Sequence, residues 1–522
     1  MSSYPKNNSH VADKRKDQSS YELEKERIMK GGKEKYHQHN EAKGKLFVRE
    51  RLDRLFDEGS IVEDGLFANS EDHDLPADAC LTGIGEIGGR PVCFLAADST
   101  VKAGSWGPKS VEKNIRIQEK AMELEIPILY LIDSAGARIT EQLDVFPGRR
   151  QGGKVFYNEI QMSGSVPQIC ILFGPSPAGA AYVPAFSDLV IMVDQNASAY
   201  LGSPRMVEMA IGEKTTMDEM GGAKMHCSVS GLGDVLVSNE QEAIDACISY
   251  LRLMPQNFRE TPPEAASVSP AQGRRLEDIV PLHQNSPFDM YEFIDGIIDE
   301  GTWFEYKKLF APELITGFCR IDGKVTGVVA NQPKVKGGTL FVDSPDKAAR
   351  FIKICSAYRI PLLFLSDVPG YMIGSKVEQS GIIRHGAKMI SALSEAAVPK
   401  MLLVVRKCYG AGLYAMAGPA FGTDAVLALP SASIAVMGPQ AAVNAVYYNK
   451  IQELPEEERE AFVAAKREEY SQNVNIHKLG SELIVDDIIG FDEVRTSIQK
   501  RFYLYKTKRV TTPEKRNAIH PV

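Results

Sequence analysis

IPILYLIDSAG at residues 126–136 and IPLLFLSDVPG at residues 360–370 are nearly one phrase written twice. VPQICILFGPSPAGAAY (166–182) and VPKMLLVVRKCYGAGLY (398–414) follow in the same order and at almost the same offset. Two further pairs surround them. Val101-Lys102-Ala103-Gly104-Ser105 answers Val335-Lys336-Gly337-Gly338-Thr339, and Ala197-Ser198 answers Ala432-Ser433. Collinear matches at a near-constant spacing indicate two domains of one fold, with the prospect of one site built from both. A period this long is that of a duplicated domain, not a short-repeat solenoid.

Working outward, PVCFLAA (91–97), PILYLI (127–132) and ICILF (169–173) are short apolar runs that read as buried strands. Helical segments at 110–124 and 150–164 separate them, and this alternation predicts an α/β fold. Residues 20–57 read as helical, interrupted at Gly31-Gly32. A charged helix is expected at 454–470 and a last one at 490–504. Residues 255–288 are rich in Pro, Ser, Glu and Gln and form the linker candidate. The expected organisation is a disordered tail at 1–20, a first domain at 21–260 and a second at 275–522.

Bulk properties exclude several classes. At 522 residues the chain can hold two large cores. A net charge of −8 does not suit a nucleic-acid partner. No run is long enough to span a membrane. The eight cysteines lack paired spacing, which suits buried free thiols in a reducing compartment and makes a zinc ribbon improbable. The polar N-terminus lacks the apolar core of a secretion signal, so a cytoplasmic location is expected.

P-loop, GxSxG and HExxH signatures are absent. The histidines form no ligand-spaced cluster, no metal site is expected, and His226 and His385 are read as hydrogen-bonding groups. Small residues after buried strands stand out instead. Ser176-Pro177-Ala178-Gly179-Ala180 follows one strand and Tyr409-Gly410-Ala411-Gly412 follows its counterpart. A strand-to-helix turn of this kind aims backbone N–H groups at whatever lies above it, and small side chains permit close approach. Two such N–H groups make an oxyanion hole. One turn alone would read as tight packing. Two at equivalent positions, with Ala178-Gly179 matching Gly410-Ala411, suit a reaction in which two carbonyl oxygens become negative.

These stretches resemble the carboxyltransferase (β) subunit of biotin-dependent acyl-CoA carboxylases, the group of propionyl-CoA and 3-methylcrotonyl-CoA carboxylases. The resemblance is carried by GKLFVRERLDRLFDEGS (44–60), DSAGARI (133–139), GPSPAGAAYVPA (174–185), GGAKMHCSVSG (221–231), NQPKVKGGTL (331–340), DVPGYMIG (367–374), GIIRHGAKM (381–389), YGAG (409–412) and IAVMGP (434–439). It implies two tandem crotonase-like domains of ββα-superhelix type, related by duplication. The first would serve the acyl-CoA and the second the carboxybiotin. It also implies a homohexamer whose active sites lie where unlike domains of two subunits meet.

The implied chemistry transfers a carboxyl group from carboxybiotin to the α or vinylogous γ carbon of an acyl-CoA. The cofactor supplies the base, so the protein chiefly stabilises oxyanions. By matching positions, Ala178 and Gly179 would serve the thioester enolate, and Gly410 and Ala411 the biotin ureido oxygen. Ser134, Ala135, Gly136, Ala137, Tyr182, Lys336, Gly337, Gly338 and Tyr414 would line the substrate. The family usually has Gly-Gly where this chain has Ala178-Gly179. No biotin attachment sequence is present, so biotin must sit on another chain, a biotin carboxylase or carrier subunit. Substrate signals are mixed. GIIRHGAKM resembles the propionyl type, whereas YGAGLYAM (409–416), with Tyr414 where the propionyl type has Asp, resembles the methylcrotonyl type. Two other classes remain open: the α subunit of a sodium-pumping acyl-CoA decarboxylase, distinguished by a membrane pump partner, and a non-catalytic crotonase-like scaffold.

Overall fold

The computed structural model describes residues 9–514 and 518–521. The chain divides after Leu251 into two compact units. In the first unit the strands are β1 (Val62–Asp64), β2 (Cys80–Ile87), β3 (Arg90–Ala97), β4 (Ile128–Ile132), β5 (Gln168–Leu172), β6 (Pro175–Pro177), β7 (Leu189–Val193), β8 (Ser198–Tyr200) and β9 (Val235–Val237). Seven of them form a sheet in the order β1-β2-β3-β4-β5-β7-β9, and β6 pairs with β8. β2 and β3 form an antiparallel hairpin, after which every neighbour is parallel. β4, β5 and β7 are buried along their whole lengths. Continuous apolar runs such as ILYLI are what a parallel sheet covered on both faces requires. Helix Pro108–Leu124 follows β3, with Pro108 at the first helical position where its missing N–H is harmless. Helix Gly152–Met162 follows β4.

The second unit repeats this plan with β10 (Phe304–Glu305), β11 (Leu314–Ile321), β12 (Lys324–Asn331), β13 (Leu362–Val368), β14 (Lys400–Tyr409), β15 (Ala425–Ala428), β16 (Ser433–Ala435) and β17 (Asp487–Ile488). Its order is β10-β11-β12-β13-β14-β15-β17, with β16 on β14. Both units are crotonase-like α/β layers. The sequence spacing recurs in the geometry. Trp106 bridges Ala137 as Leu340 bridges Tyr371, and Ser198 bridges Gly222 as Ser433 bridges Asn475. Ala103 and Gly337 both take positive φ, 53° and 66°. Lys113 and Lys347 stand at equivalent positions of the two units, and both are buried with ammonium groups donating to main-chain oxygens. Lys113 reaches Gly65 and Ala77, and Lys347 reaches Phe310 and Ala311.

Two segments differ from the sequence expectation. Of the expected tail, residues 1–8 lie outside the described residues, and from Ser9 the backbone is helical to Met29. The division into units falls at 251/252, ahead of the Pro-rich stretch 255–288. That stretch packs on the second unit: the Ala265 N–H donates to the Gly323 carbonyl, and Ile279, Val280 and Phe288 are buried in its core. Polar composition concealed this because its main-chain groups and a few apolar side chains make the contacts. Relative to the first unit, the second inserts helices Tyr448–Glu453 and Glu456–Asn473 between its equivalent bridges.

Candidate functional site

In the first unit the chain leaves β5, turns at Phe173-Gly174, runs through β6 and enters the turn Ala178–Ala181. The Ser176 hydroxyl donates to the Ala180 carbonyl at 2.9 Å and braces this turn. Ala178 has φ 53°, a left-handed conformation that disfavours a Cβ. The Ala178 N–H donates to the Tyr200 carbonyl, since Pro177 has no N–H to make the Pro177–Tyr200 bridge of the parallel β6–β8 pair. Among the described residues no acceptor is found for the Gly179 N–H, so the open donor of this expected pair is Gly179. Both residues are exposed. Phe156 stands beside the turn, its ring 3.8 Å from where a Cβ on Gly179 would lie. Tyr182 and Phe186 pack with it, ring centroids 6.1 to 6.2 Å apart, while Tyr182 stays half-exposed.

The Ser134–Ala137 loop packs against the start of β6. The Ser134 N–H donates to the Pro175 carbonyl at 2.9 Å, and the Ala135 N–H to the Ala103 carbonyl at 2.9 Å. The Ser134 hydroxyl donates to the Gly104 carbonyl and accepts from the Gly136 N–H, so it is committed within the loop. Gly104 has φ 66°, and a Cβ there would lie 2.2 Å from the Asp133 carbonyl oxygen. Ser134, Ala135 and Lys102 line a cleft of about 750 Å³ shared with Lys30, Lys43 and Lys45. The cleft carries cations well in excess of carboxylates, so an anionic ligand is favoured there.

Beneath the loop lies a buried charge network that the sequence reading did not single out. Asp133 receives Lys45 at 2.7 Å and Arg51 at 3.3 Å, and Arg51 also makes a two-point contact with Glu240. Burial pushes the Asp133 carboxyl up, but Arg51 and Lys45 more than offset it and hold it below the usual carboxylate range. The network's members were in plain view, although their pairing was not. Asp133 ends the apolar run ILYLI, and Lys45 and Arg51 lie in GKLFVRERL.

In the second unit, β14 ends at Tyr409 and Ala411 opens helix Ala411–Ala415. Gly410 has φ 56° and ψ −142°, a region open essentially to glycine. Its N–H donates to the Ala435 carbonyl at 2.9 Å, whereas among the described residues no acceptor is found for the Ala411 N–H. The open donor of the expected pair is therefore Ala411. Gly412 packs closely, since a Cβ there would lie 2.9 Å from Val368. Lys336, Gly337 and Gly338 form a turn at the β12 end. Lys336 pairs with the buried Glu313 at 3.2 Å, and a Cβ on Gly338 would lie 2.7 Å from the Asp367 carbonyl oxygen. Tyr414 is half-exposed, its ring 5.5 Å from Phe421.

Both singled-out histidines are hydrogen-bonded. His226 joins the Ala199 carbonyl and the Ser230 hydroxyl, each at 2.7 Å, and burial pulls its pKa down. His385 contacts Asp346 at 2.7 Å. Among the described residues no cluster of metal-ligating side chains occurs, and no helix is long and apolar enough to cross a membrane.

Two exposed turns, each with an open main-chain donor, stand at equivalent ends of two crotonase-like units. The chain belongs to the carboxyl transferase domain family, whose model matches residues 39–519, and is an acyl-CoA carboxyltransferase. It is 61% identical to the uncharacterized carboxylase YngE of Bacillus subtilis, over 95% of this chain and 98% of that one. It is 37% identical to the propionyl-CoA carboxylase carboxyltransferase subunit of Haloferax mediterranei, over 95% and 98%. The hexameric transcarboxylase 12S, solved with methylmalonyl-coenzyme A and methylmalonic acid bound, superposes with a TM-score of 0.88. Identity there is 36%, covering 100% of this chain and 99% of that one.

Proposed function

We propose that this chain transfers the carboxyl group of carboxybiotin, carried on a separate subunit, to the α or vinylogous γ carbon of an acyl-CoA. The observation that carries the reading is the pair of equivalent turns with open N–H donors at Gly179 and Ala411. Carboxybiotin, when docked, supplies both the carboxyl group and the base. The Gly410-Ala411 turn fits a ureido oxygen, because it is an exposed bend with no side chain at Gly410 and an open donor at Ala411. The Gly179 N–H receives the thioester oxygen, and its hydrogen bond strengthens as that atom becomes an enolate oxygen. Such donors are most effective when preorganised, and both turns are fixed by neighbouring hydrogen bonds. The lysines beside Ser134 and Ala135 suit the phosphates of the CoA moiety. Phe156 and Tyr182 offer the acyl group an apolar wall.

The proposed assembly is a homohexamer with a biotin carboxylase or biotin carrier partner, located in the cytoplasm. The relatives named as propionyl-CoA carboxylase and transcarboxylase favour a short branched product such as methylmalonyl-CoA over a methylcrotonyl-derived one. The test is a panel of acetyl-, propionyl-, butyryl- and 3-methylcrotonyl-CoA assayed with the co-purified biotin subunit. Propionyl-CoA is expected to turn over fastest. Failure to carboxylate any of the four refutes the carboxylase reading. Co-purification with a membrane pump subunit instead would assign the decarboxylase direction.

A further inference from the structure

The register of β13 against β14 slips beside Asp367. Ser366 faces Val404, yet Val368 faces Cys408, so β14 carries extra residues just before the Gly410 turn. Asp367 fills this irregularity and is fully buried. Its carboxylate accepts the Lys407 backbone N–H at 3.1 Å and both Nε and an Nη of Arg406 at 3.2 and 2.7 Å. The Ser366 hydroxyl donates to the Lys407 carbonyl at 2.9 Å.

From this anchor, three β14 side chains reach out to residues 281–286. Arg406 donates to the carbonyls of His283 and Ser286 at 3.0 and 2.8 Å. Lys407 donates to the Gln284 carbonyl at 2.9 Å, and the Tyr409 hydroxyl to the Gln284 side-chain oxygen at 2.6 Å. The residue after Tyr409 is Gly410. One buried carboxylate thus fixes the bulge, the strap and the strand end that aims the open Ala411 donor.

Asp133 is its equivalent in the first unit, but it cannot grip its strand in the same way. The position matching Lys407 is Pro175, which has no N–H, and the position matching Arg406 is Gly174, where a Cβ would lie 1.9 Å from the Asp133 carboxylate. Asp133 draws its cations from Lys45 and Arg51 instead. Direct attachment to the turn-bearing strand is therefore particular to the second unit.

We propose that Asp367 is a positioning residue for the biotin-side oxyanion turn, acting through Arg406 and Lys407. This rests on the carboxyltransferase reading above. A displaced donor weakens transition-state stabilisation while leaving remote binding intact, so kcat should fall with little change in affinity for CoA.

The experiment uses the full chain with free biotin as acceptor and a panel of malonyl-, methylmalonyl-, ethylmalonyl- and 3-methylglutaconyl-CoA as donors. The donor that the parent uses fastest is carried forward. Asp367→Asn keeps an acceptor for the Lys407 N–H but leaves Arg406 unmatched. The double variant Asp367→Asn with Arg406→Met removes that unmatched charge and guards against misfolding. Both are expected to lose at least about tenfold in kcat, with the dissociation constant for CoA within about twofold of the parent. A purely structural role would weaken CoA binding and turnover together. A folded variant with parental kcat, or one whose CoA affinity falls in step with kcat, overturns the proposal. The underlying reading fails separately if the parent uses no donor, or if Ala411→Pro also retains full turnover.

Discussion

Replacing Ala411 by proline isolates the single open donor of the second turn. Ala411 is the first residue of its helix, the position where proline is tolerated because no intrahelical bond is lost there. The residue before a proline is disfavoured in the α region, and Gly410 at φ 56°, ψ −142° lies outside it. The Ala411 N–H has no acceptor among the described residues, so its removal breaks no bond of the resting protein. The stability change should stay within about 1 kcal/mol. Turnover should fall far more, because one oxyanion donor is worth about 10²–10³ in kcat, or about 2.7–4 kcal/mol. The measurements are kcat with the biotin-bearing subunit, the CoA dissociation constant, and a urea unfolding curve. Ala411→Ser, which keeps the N–H, serves as control and should retain turnover within about tenfold. A folded Ala411→Pro variant with near-parental kcat would refute the assignment of the turn.

Three further outcomes are expected. Ala178→Gly relieves a left-handed alanine costing about 1–2 kcal/mol, less about 0.5–1 kcal/mol of added unfolded-state entropy, and keeps the N–H. It should melt no lower than the parent and keep its turnover; a lowered melting temperature counts against the argument. Burial pulls the Lys347 ammonium down from 10.5 to about 7. The unfolded chain therefore binds the extra proton between these values, and stability should rise with pH across that window by up to about 1.4 kcal/mol per pH unit. Lys347→Met should flatten this slope in urea midpoints taken at pH 7 and pH 9, and an unchanged slope excludes Lys347 as its source. Tyr414→Asp should shift kcat/KM toward propionyl-CoA over 3-methylcrotonyl-CoA by no more than about 1–3 kcal/mol, whereas an unchanged ratio in a stable variant removes Tyr414 from substrate choice.

Much of the fold was legible because parallel strands buried on both faces write themselves as apolar runs. PILYLI, ICILF and the helix at 110–124 all stand within a few residues of their elements. The turns were legible because the same small residues recur at one spacing. What sequence did not convey was pairing across distance. Nothing in the order of residues says that Asp133 meets Lys45 and Arg51 while its counterpart Asp367 meets Arg406. Nor does it say that a Pro-rich stretch lies along a strand, since backbone carbonyls have no letter code. The same blindness hid which N–H of the Gly410-Ala411 pair is already spent on Ala435.

Because the proposed reacting groups are main-chain donors, no point mutation short of proline can delete one. Inactivating changes should therefore fall elsewhere, at sites that set the path of the chain. Gly104 and Gly338 are such sites, for any side chain there would press on the carbonyl of Asp133 or Asp367 and lift a strand end. A mutational map of this protein would then tolerate Ala178→Gly and Ala411→Ser, which keep the N–H and a small residue. Its sharpest losses would include Gly104 and Gly338, which act through the path of the chain and not through a side chain of their own.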